Sequence, residues 1–202
     1  MNVRRAGDRG FLLELATNDE ALAVSRALRR ELAEALQDVV PGHRTVLVTV
    51  RDPGTELGDR LSEVAASAAL VHEDEPARSA SLPVTYDGPD VARVAASTGL
   101  SPEEVVRRHV EADYSVAFLG FSPGFAYLLG LDPVLHLPRL ETPRTVVPAG
   151  SVAIAGPYSG VYPTGSPGGW LLLGRTEAVL FDPRRAQPAL LEPGMRVRFE
   201  AA

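Results

Sequence analysis

Apolar residues in the first 82 positions recur at two spacings, one typical of helices and one typical of strands. Val24, Leu28, Leu32 and Leu36 recur every four residues, which predicts a helix with one apolar face that begins at Thr17. The predicted order is a strand at 11–15, this helix, strands at 39–40 and 46–50, a helix at 57–68 and a strand at 80–86. The βαββαβ order is that of a ferredoxin-like domain.

A helical segment at 90–111 follows these elements. Thr98 and Gly99 interrupt its apolar pattern, and the helix restarts at Ser101. Ser101 is a favourable N-cap, Pro102 suits the first helical position and Glu104 completes a capping box. We therefore expect a helical hairpin over 90–111.

The pattern changes after Tyr114 to short apolar runs separated by glycine and proline. Strands are predicted at 115–120, 145–147, 151–155, 170–174, 178–181 and 195–199. Strands this short and this closely spaced predict a closed or nearly closed β-barrel.

Proline and glycine are unevenly distributed along the chain. Residues 1–82 contain three prolines and five glycines, whereas residues 83–202 contain fourteen and thirteen. Such a shift in composition marks a domain boundary. We predict an α+β protein with a small ferredoxin-like α/β domain at 1–82 and a barrel domain at 83–202 that begins with the hairpin at 90–111.

Two residue types are missing from the chain. Cysteine is absent, and all 20 basic residues are arginines, so lysine is absent too. The chain therefore lacks thiolate nucleophiles, disulfides, a Schiff-base lysine and the lysine of a P-loop. It also has no lysine to which biotin could be attached.

Charge and histidine spacing exclude further classes. The net charge of −6 argues against nucleic acid and anionic membranes as partners. No apolar run approaches the about 20 residues of a membrane-spanning helix, and the N-terminus does not resemble a signal peptide, so we expect a cytoplasmic protein. His43, His72, His109 and His136 are too scattered to predict a metal site.

The segment 118–176 carries the polar and aromatic residues that predict a binding site. Arg139 and Arg144 lie on a proline-rich loop, and their guanidinium groups suit a carboxylate or a phosphate. No paired nucleophile and base are evident, so no catalytic residue is assigned. The candidate substrate-binding residues are Tyr127, His136, Arg139, Arg144, Ser151, Ser166 and Trp170, and the candidate loop glycines are Gly124, Gly150, Gly168 and Gly169.

Three motifs in this segment, GFSPGFAYL, PRLETPRTVVPAGSVAIAG and GVYPTGSPGGWLLLGRT, resemble the allophanate hydrolase subunit 1 family. This family includes the kinase inhibitor KipI and one of the subunits of bacterial 5-oxoprolinase. The resemblance implies a C-terminal cyclophilin-like barrel and a subunit 2 partner, with a LamB/YcsF-like protein as a third subunit. Ser122, Ala126 and residues 157–159 depart from the family pattern.

The resemblance implies a subunit of a multi-subunit, ATP-dependent 5-oxoprolinase that converts 5-oxo-L-proline to L-glutamate and is inactive alone. Arg139 and Arg144 would bind a carboxylate or phosphate, and Tyr127, His136 and Ser166 would position the lactam. ATP would be bound by, or shared with, a partner. Two alternatives remain open: a carboxyltransferase subunit of the allophanate hydrolase or urea carboxylase type, and a KipI-like inhibitor of a sensor histidine kinase.

Overall fold

The computed structural model describes residues 1–52, 57–69 and 78–202. The chain divides into two compact units, Met1–Pro76 and Ala77–Ala202. His72, one of the four histidines considered above, lies outside the described residues.

Among the residues that the structure describes, the first unit contains a four-stranded antiparallel sheet and two helices. Its elements are β1 (Asn2–Ala6), β2 (Gly10–Glu14), α1 (Asn18–Glu31), β3 (Leu36–Pro41), β4 (Thr45–Val50) and α2 (Gly58–Ala69). The strand order is β1-β2-β4-β3. The predicted start of α1 is confirmed, because the Thr17 hydroxyl accepts a hydrogen bond from the Glu20 backbone N–H at 3.2 Å.

The predicted βαββαβ order is wrong at both ends. It omits β1, whose side chains are mostly exposed and give no apolar pattern, although β1 pairs with β2 from Asn2↔Glu14 to Ala6↔Gly10. It also assigns the strand near residue 80 to the first domain. That strand, β5 (Ser79–Val84), pairs in parallel with the last strand of the chain, so the expected boundary at residue 82 falls within β5.

The second unit contains two helices and nine strands among the residues described. After β5 come α3 (Val91–Thr98), α4 (Pro102–Glu111), β6 (Tyr114–Leu119), β7 (Ala126–Leu129), β8 (Arg144–Val147), β9 (Ser151–Ala155), β10 (Tyr158–Val161), β11 (Ser166–Gly168), β12 (Leu171–Arg175) and β13 (Arg196–Ala201). A 3-10 turn spans Pro133–Leu135. The hairpin predicted at 90–111 is confirmed as α3 and α4.

Seven of these strands form a nearly closed barrel. Their order is β12-β9-β10-β7-β6-β13-β5. Thr85 and Arg175, at the ends of the two edge strands, exchange backbone hydrogen bonds of 2.9 Å in both directions. Leu82 and Val84 of β5 join the barrel core, which also contains Tyr114 and Phe199. Burial of these side chains explains why β5 belongs to this unit.

The strand prediction for the barrel was partly correct. Strands near 115, 145, 151, 170 and 195 are present, but the predicted strand at 178–181 is absent except for one bridge between Phe181 and Ala189. The strands β7, β10 and β11 were missed because they are three or four residues long and lie among glycines and prolines. The strands β8 and β11 form a separate two-stranded sheet. Within the described residues, no helix is long and apolar enough to span a membrane.

Candidate functional site

Six aromatic side chains of the second unit pack together, and we call them the aromatic cluster. Tyr127 stacks on Phe118 with ring centroids 4.3 Å apart, and its edge meets Trp170 at 5.5 Å. Phe125, at the centre, contacts Tyr127, Tyr162 and Trp170 in T-shaped pairs. The full set is Phe118, Phe125, Tyr127, Tyr158, Tyr162 and Trp170.

The barrel strands place these rings. Phe118 of β6 and Tyr127 of β7 are register partners, so their side chains lie side by side on one face. Burial raises the pKa of the Tyr127 and Tyr162 phenols, which therefore stay protonated at neutral pH and can donate hydrogen bonds.

Most of the predicted loop glycines have a packing role. Gly168 lies directly against the Tyr162 phenol, and a Cβ at Gly168 would be 2.3 Å from the Tyr162 oxygen. Gly124 has a φ of 82° and leaves no room for a side chain beside Phe181. Gly150 likewise packs against the Thr176 carbonyl, whereas Gly169 has no such close neighbour.

Arg144 already binds a carboxylate of the protein itself. Its Nη2 donates to both carboxylate oxygens of Asp90 at 2.8 Å, and its Nη1 donates to the Trp170 carbonyl at 3.3 Å. Asp90 is buried and also accepts a hydrogen bond from the Leu172 backbone N–H at 2.7 Å. Arg144 was predicted to bind a carboxylate or phosphate of the substrate, whereas in the structure its guanidinium is occupied by the Asp90 carboxylate.

Arg139 is the open guanidinium of the same loop. It is exposed and makes no hydrogen bond or ion pair with any residue that the structure describes. The next residue, Leu140, donates its backbone N–H to the Gly169 carbonyl at 2.7 Å, which fixes the loop beside Trp170. The structure therefore brings Arg139, Tyr127 and Trp170 into one region of the barrel.

The two candidate serines, Ser166 and Ser151, differ in their hydrogen bonding. The Ser166 hydroxyl on β11 is buried and, like that of Ser122, has no hydrogen-bond partner among the described residues. Unpaired buried hydroxyls are uncommon, and each needs a physical explanation. Ser151 is buried at the start of β9, where its carbonyl accepts a hydrogen bond from the Tyr162 N–H at 3.0 Å.

His136 lies apart from the aromatic cluster. It is exposed at the end of the 3-10 turn, and its Nε2 donates to the Leu131 carbonyl at 3.0 Å. Among the described residues, His136 makes no ring contact with the aromatic cluster. The geometry gives His136 no link to the other candidates.

Sequence reasoning missed the partners of His109. Its Nδ1 lies 2.7 Å from the Tyr86 phenol and its Nε2 lies 2.8 Å from the Ser159 hydroxyl. Burial lowers the pKa of His109 to about 3. Ser159 is fully buried, so this serine and histidine form an internal network and cannot act as a nucleophile and base. One signal was available: His109 follows the buried Val105 by four residues, on the apolar face of α4.

Asp90 was also missed, although it stands where a helix cap is expected. It is the N-cap residue of α3 but makes no side-chain cap hydrogen bond, because its carboxylate is used by Arg144 and Leu172. Nothing in the local sequence distinguishes this use from ordinary capping.

Two cavities lie along α4 rather than at the candidate residues. One, of about 490 Å³, is lined largely by apolar side chains that include Val91, Val106 and Val110. The other, of about 350 Å³, is lined by Arg107, Arg108 and Asp132, among others. Within the described part of the chain, no group of three or more histidines and acidic residues is placed to hold a metal ion.

The residues at the aromatic cluster do not fit a nucleoside triphosphate. Arg144 is neutralised by Asp90, so Arg139 is the single open cation that the described loop offers. A triphosphate carries several negative charges, and ATP sites generally supply a lysine or a metal ion. We therefore derive no step of a reaction through ATP bound at this site.

Comparison with known proteins finds one family model and related proteins that match most of the chain. The family described as "Carboxyltransferase domain, subdomain C and D" matches residues 1–191. A protein of Escherichia coli O157:H7 that is named as a subunit of 5-oxoprolinase is 43% identical over 206 residues, covering 96% of this chain and 92% of the relative.

Solved structures share the fold. The protein TTHA0988 is 40% identical with a TM-score of 0.84, and the match covers 96% of this chain but only 40% of TTHA0988. The Kluyveromyces lactis urea amidolyase is 22% identical with a TM-score of 0.75, covering 99% of this chain and 15% of that protein. The latter likeness concerns the fold alone.

Proposed function

The chain belongs to the carboxyltransferase-domain family, subdomain C and D, and from this premise we propose that it is one subunit of a multi-subunit, ATP-dependent 5-oxoprolinase. The reaction opens the lactam of 5-oxo-L-proline to L-glutamate and is coupled to hydrolysis of ATP. The observation that carries the proposal is the similarity to the Escherichia coli 5-oxoprolinase subunit along nearly the whole length of both chains.

In this proposal, Arg139 binds the carboxylate of 5-oxoproline. The substrate has one carboxylate, and Arg139 is the open guanidinium of the loop. A guanidinium can donate two parallel hydrogen bonds to a carboxylate. Arg144 acts indirectly, because it is bonded to Asp90 and to the Trp170 carbonyl and so holds Trp170 in place.

The aromatic cluster and Ser166 hold the lactam. Tyr127 and Trp170 offer ring surfaces for a small, flat heterocycle. Ser166 has a hydroxyl with no hydrogen-bond partner among the described residues, and we assign it to the lactam amide. Neither His136 nor Ser151 receives a role, because the contacts of both are internal to the fold.

ATP and the remaining catalytic groups belong, in this proposal, to partner chains. The loop offers too little positive charge for a triphosphate, and the chain has no lysine for ATP or for attached biotin. We propose a subunit 2 protein as the partner, with a LamB/YcsF-like protein as third subunit. This chain then supplies half of the active site.

The test is to co-express this chain with its companion subunits and to measure 5-oxoproline-dependent ATP hydrolysis. Arg139→Ala should raise the KM for 5-oxoproline at least about tenfold, because a charge-assisted hydrogen bond is worth about 1.5–3 kcal/mol. Arg93→Ala, at an exposed position on α3, is the matched control and should change neither kcat nor KM.

Two results would contradict the proposal. Full activity of Arg139→Ala would remove the substrate role of this residue. No 5-oxoproline-dependent hydrolysis in any combination of subunits would remove the function itself. Biotin-dependent turnover of urea would then favour the carboxyltransferase alternative, and binding to an isolated histidine-kinase phosphotransfer domain would favour the inhibitor alternative.

A further inference from the structure

The larger of the two cavities along α4 is separate from the candidate site. Its volume is about 490 Å³, within the range of about 300–1,000 Å³ that is usual for small-molecule sites. None of its lining residues belongs to the aromatic cluster or to the candidate substrate-binding residues. The cavity therefore has room for a ligand that the proposed reaction does not use.

One wall of the cavity is a stripe of apolar residues along α4. Pro102, Val106 and Val110 line it at intervals of four residues, so they lie on one face of the helix. Both valines are half-buried, yet neither packs against the barrel core, to which α4 contributes Val105. The two valines therefore present apolar surface to the cavity.

Residues from outside α4 complete the wall. Val91 at the start of α3, Tyr86 in the segment before it and Ala201 at the end of β13 also line the cavity. The Tyr86 phenol is bonded to His109 Nδ1 at 2.7 Å, which fixes the tyrosine in the wall. Apolar walls favour a ligand with an apolar body, because binding removes the surfaces of both from water.

The charged residues of the lining form a neighbouring stripe on α4. Glu103, Arg107 and Glu111 are again four residues apart. The Arg107 guanidinium is occupied, since Nε and Nη2 donate to the Glu104 carboxylate at 2.9 and 2.7 Å and Nη1 donates to Glu111. Glu103 is exposed and forms no ion pair with any residue that the structure describes. The lining therefore carries an excess of negative charge.

We propose that this cavity binds a small organic amine, a molecule with an apolar body and one positively charged group. The apolar body lies against Val91, Val106 and Val110, and the ammonium group faces the carboxylates of Glu103 and Glu111. Anions are disfavoured, because the one guanidinium of the lining is already bonded to carboxylates. The inference does not rest on the proposed function, since 5-oxoproline and ATP are both anions.

The test titrates the full chain with three probes of similar size that differ in charge. These are phenethylamine, which is a cation at neutral pH, the neutral phenethyl alcohol and the anion phenylacetate. Calorimetry measures each Kd, and NMR shifts of the valine methyl groups locate the bound probe. We expect a Kd below about 5 mM for phenethylamine. The Kd should be at least about threefold higher for the alcohol and higher again for phenylacetate.

Two variants, each with a matched control, test the walls and the charge. Val106→Phe fills the cavity and should raise the Kd for phenethylamine at least about tenfold, whereas Val134→Phe, at a valine that is 46% exposed on the 3-10 turn, should not change it. Glu103→Gln should raise the Kd for phenethylamine about threefold and leave that for the alcohol unchanged. Glu177→Gln, at an exposed position outside the lining, should change neither value. Melting temperatures establish that each variant is folded.

Three results would overturn the proposal. Methyl groups of Val91, Val106 and Val110 that do not shift at millimolar phenethylamine would show that the amine does not enter the cavity. Equal affinity for the amine and the alcohol would show an apolar site without selection for charge. Self-association of the chain that Val106→Phe abolishes would assign the cavity to a second copy. None of these measurements involves ATP hydrolysis, so they are independent of the test of the proposed function.

Discussion

Asp90 and His109 are both buried polar residues of the second unit, but Asp90 forms an ion pair whereas the His109 ring bonds to neutral hydroxyls. Asp90 is paired with the Arg144 guanidinium, which remains partly exposed. The His109 side chain is enclosed by aromatic rings, and its two ring nitrogens bond to the hydroxyls of Tyr86 and Ser159. The comparison teaches that a buried carboxylate is placed where a guanidinium reaches it from the surface, whereas burial in the barrel core favours the neutral form of His109.

The two arrangements also differ in what they hold together. The Asp90 carboxylate joins the start of α3 to β12 and, through Arg144, to the Trp170 carbonyl beside the candidate site. The His109 ring joins α4 to β10 inside the barrel. Ser159 donates to the Ala153 carbonyl at 3.4 Å, so His109 Nε2 is the donor to Ser159 and Nδ1 accepts from Tyr86.

The largest effect is expected from His109→Ala. The substitution leaves a cavity between Tyr114 and Phe199 and removes one hydrogen-bond partner each from the Tyr86 and Ser159 hydroxyls. We expect the free energy of unfolding to fall by about 3–5 kcal/mol. Chemical denaturation measures the loss. The exposed His136→Ala is the control and should change stability by less than about 1 kcal/mol. Equal losses in both variants would show that the network contributes little.

A somewhat smaller effect is expected from Arg144→Ala. Asp90 would remain buried with only the Leu172 N–H as a partner, and removal of one partner from a buried ion pair typically costs about 3–5 kcal/mol. We expect about 2–3 kcal/mol, because the Arg144 side chain is 28% exposed and its charge is partly screened. Trp170 is the only tryptophan, so its fluorescence should also shift.

Arg184→Ala provides the surface comparison for Arg144→Ala. Arg184 pairs with Asp182, but its side chain is 88% exposed, so its loss should leave the free energy of unfolding almost unchanged. A loss at Arg144 as small as that at Arg184, with unchanged Trp170 fluorescence, would mean that Asp90 and Arg144 do not position the site.

The pH dependence of stability separates the two arrangements further. Burial lowers the pKa of His109 to about 3 in the folded state, against about 6.5 in the unfolded chain. Between these values the unfolded state binds the extra proton, so stability falls as the pH falls. From pH 7.5 to pH 5 this contribution is about 2 kcal/mol.

The measurement compares the unaltered chain with His109→Gln over that pH range. Hydrogen bonds from Arg107 and Arg108 lower the pKa of Glu104 to about 2. The stability that ionised Glu104 contributes is therefore lost only below pH 5, outside the range measured. Hydrogen bonding also lowers the pKa of Asp132 and Asp182. The glutamine variant should therefore show a flatter pH profile. Parallel profiles for the two proteins would contradict a neutral, buried His109.

The sequence pattern predicted those elements whose signals lie within a few residues of one another. The α3–α4 hairpin and the α1 capping box followed from residues within a few positions of each other. The assignment of β5 to the barrel sheet could not be predicted in this way, because an apolar strand carries no local signal of which sheet it joins. Its pairing with β13 links residues more than 100 positions apart, such as Leu82 and Phe199.

In the candidate site, too, the local grouping of residues was predictable and the long-range pairing was not. The sequence grouped Tyr127, Arg139, Ser166 and Trp170 in one region, because turns and stiff loops concentrate binding residues. It could not assign Arg144 to Asp90, which lies 54 positions earlier. Both arginines carry the same chemistry, and only the folded chain shows that one guanidinium is occupied and the other is open.

The smallest effects are expected from two buried serines that differ in hydrogen bonding. Ser159→Ala removes the acceptor of His109 Nε2 and should cost about 1–2 kcal/mol. Ser166→Ala removes a hydroxyl that has no partner among the described residues, so stability should stay within about 0.5 kcal/mol or rise. Thermal denaturation of the two variants measures both changes. Substrate affinity should follow the opposite order, with the KM for 5-oxoproline raised in Ser166→Ala and unchanged in Ser159→Ala. A Ser166→Ala variant that loses stability without a change in KM would assign this hydroxyl to the fold instead of the site.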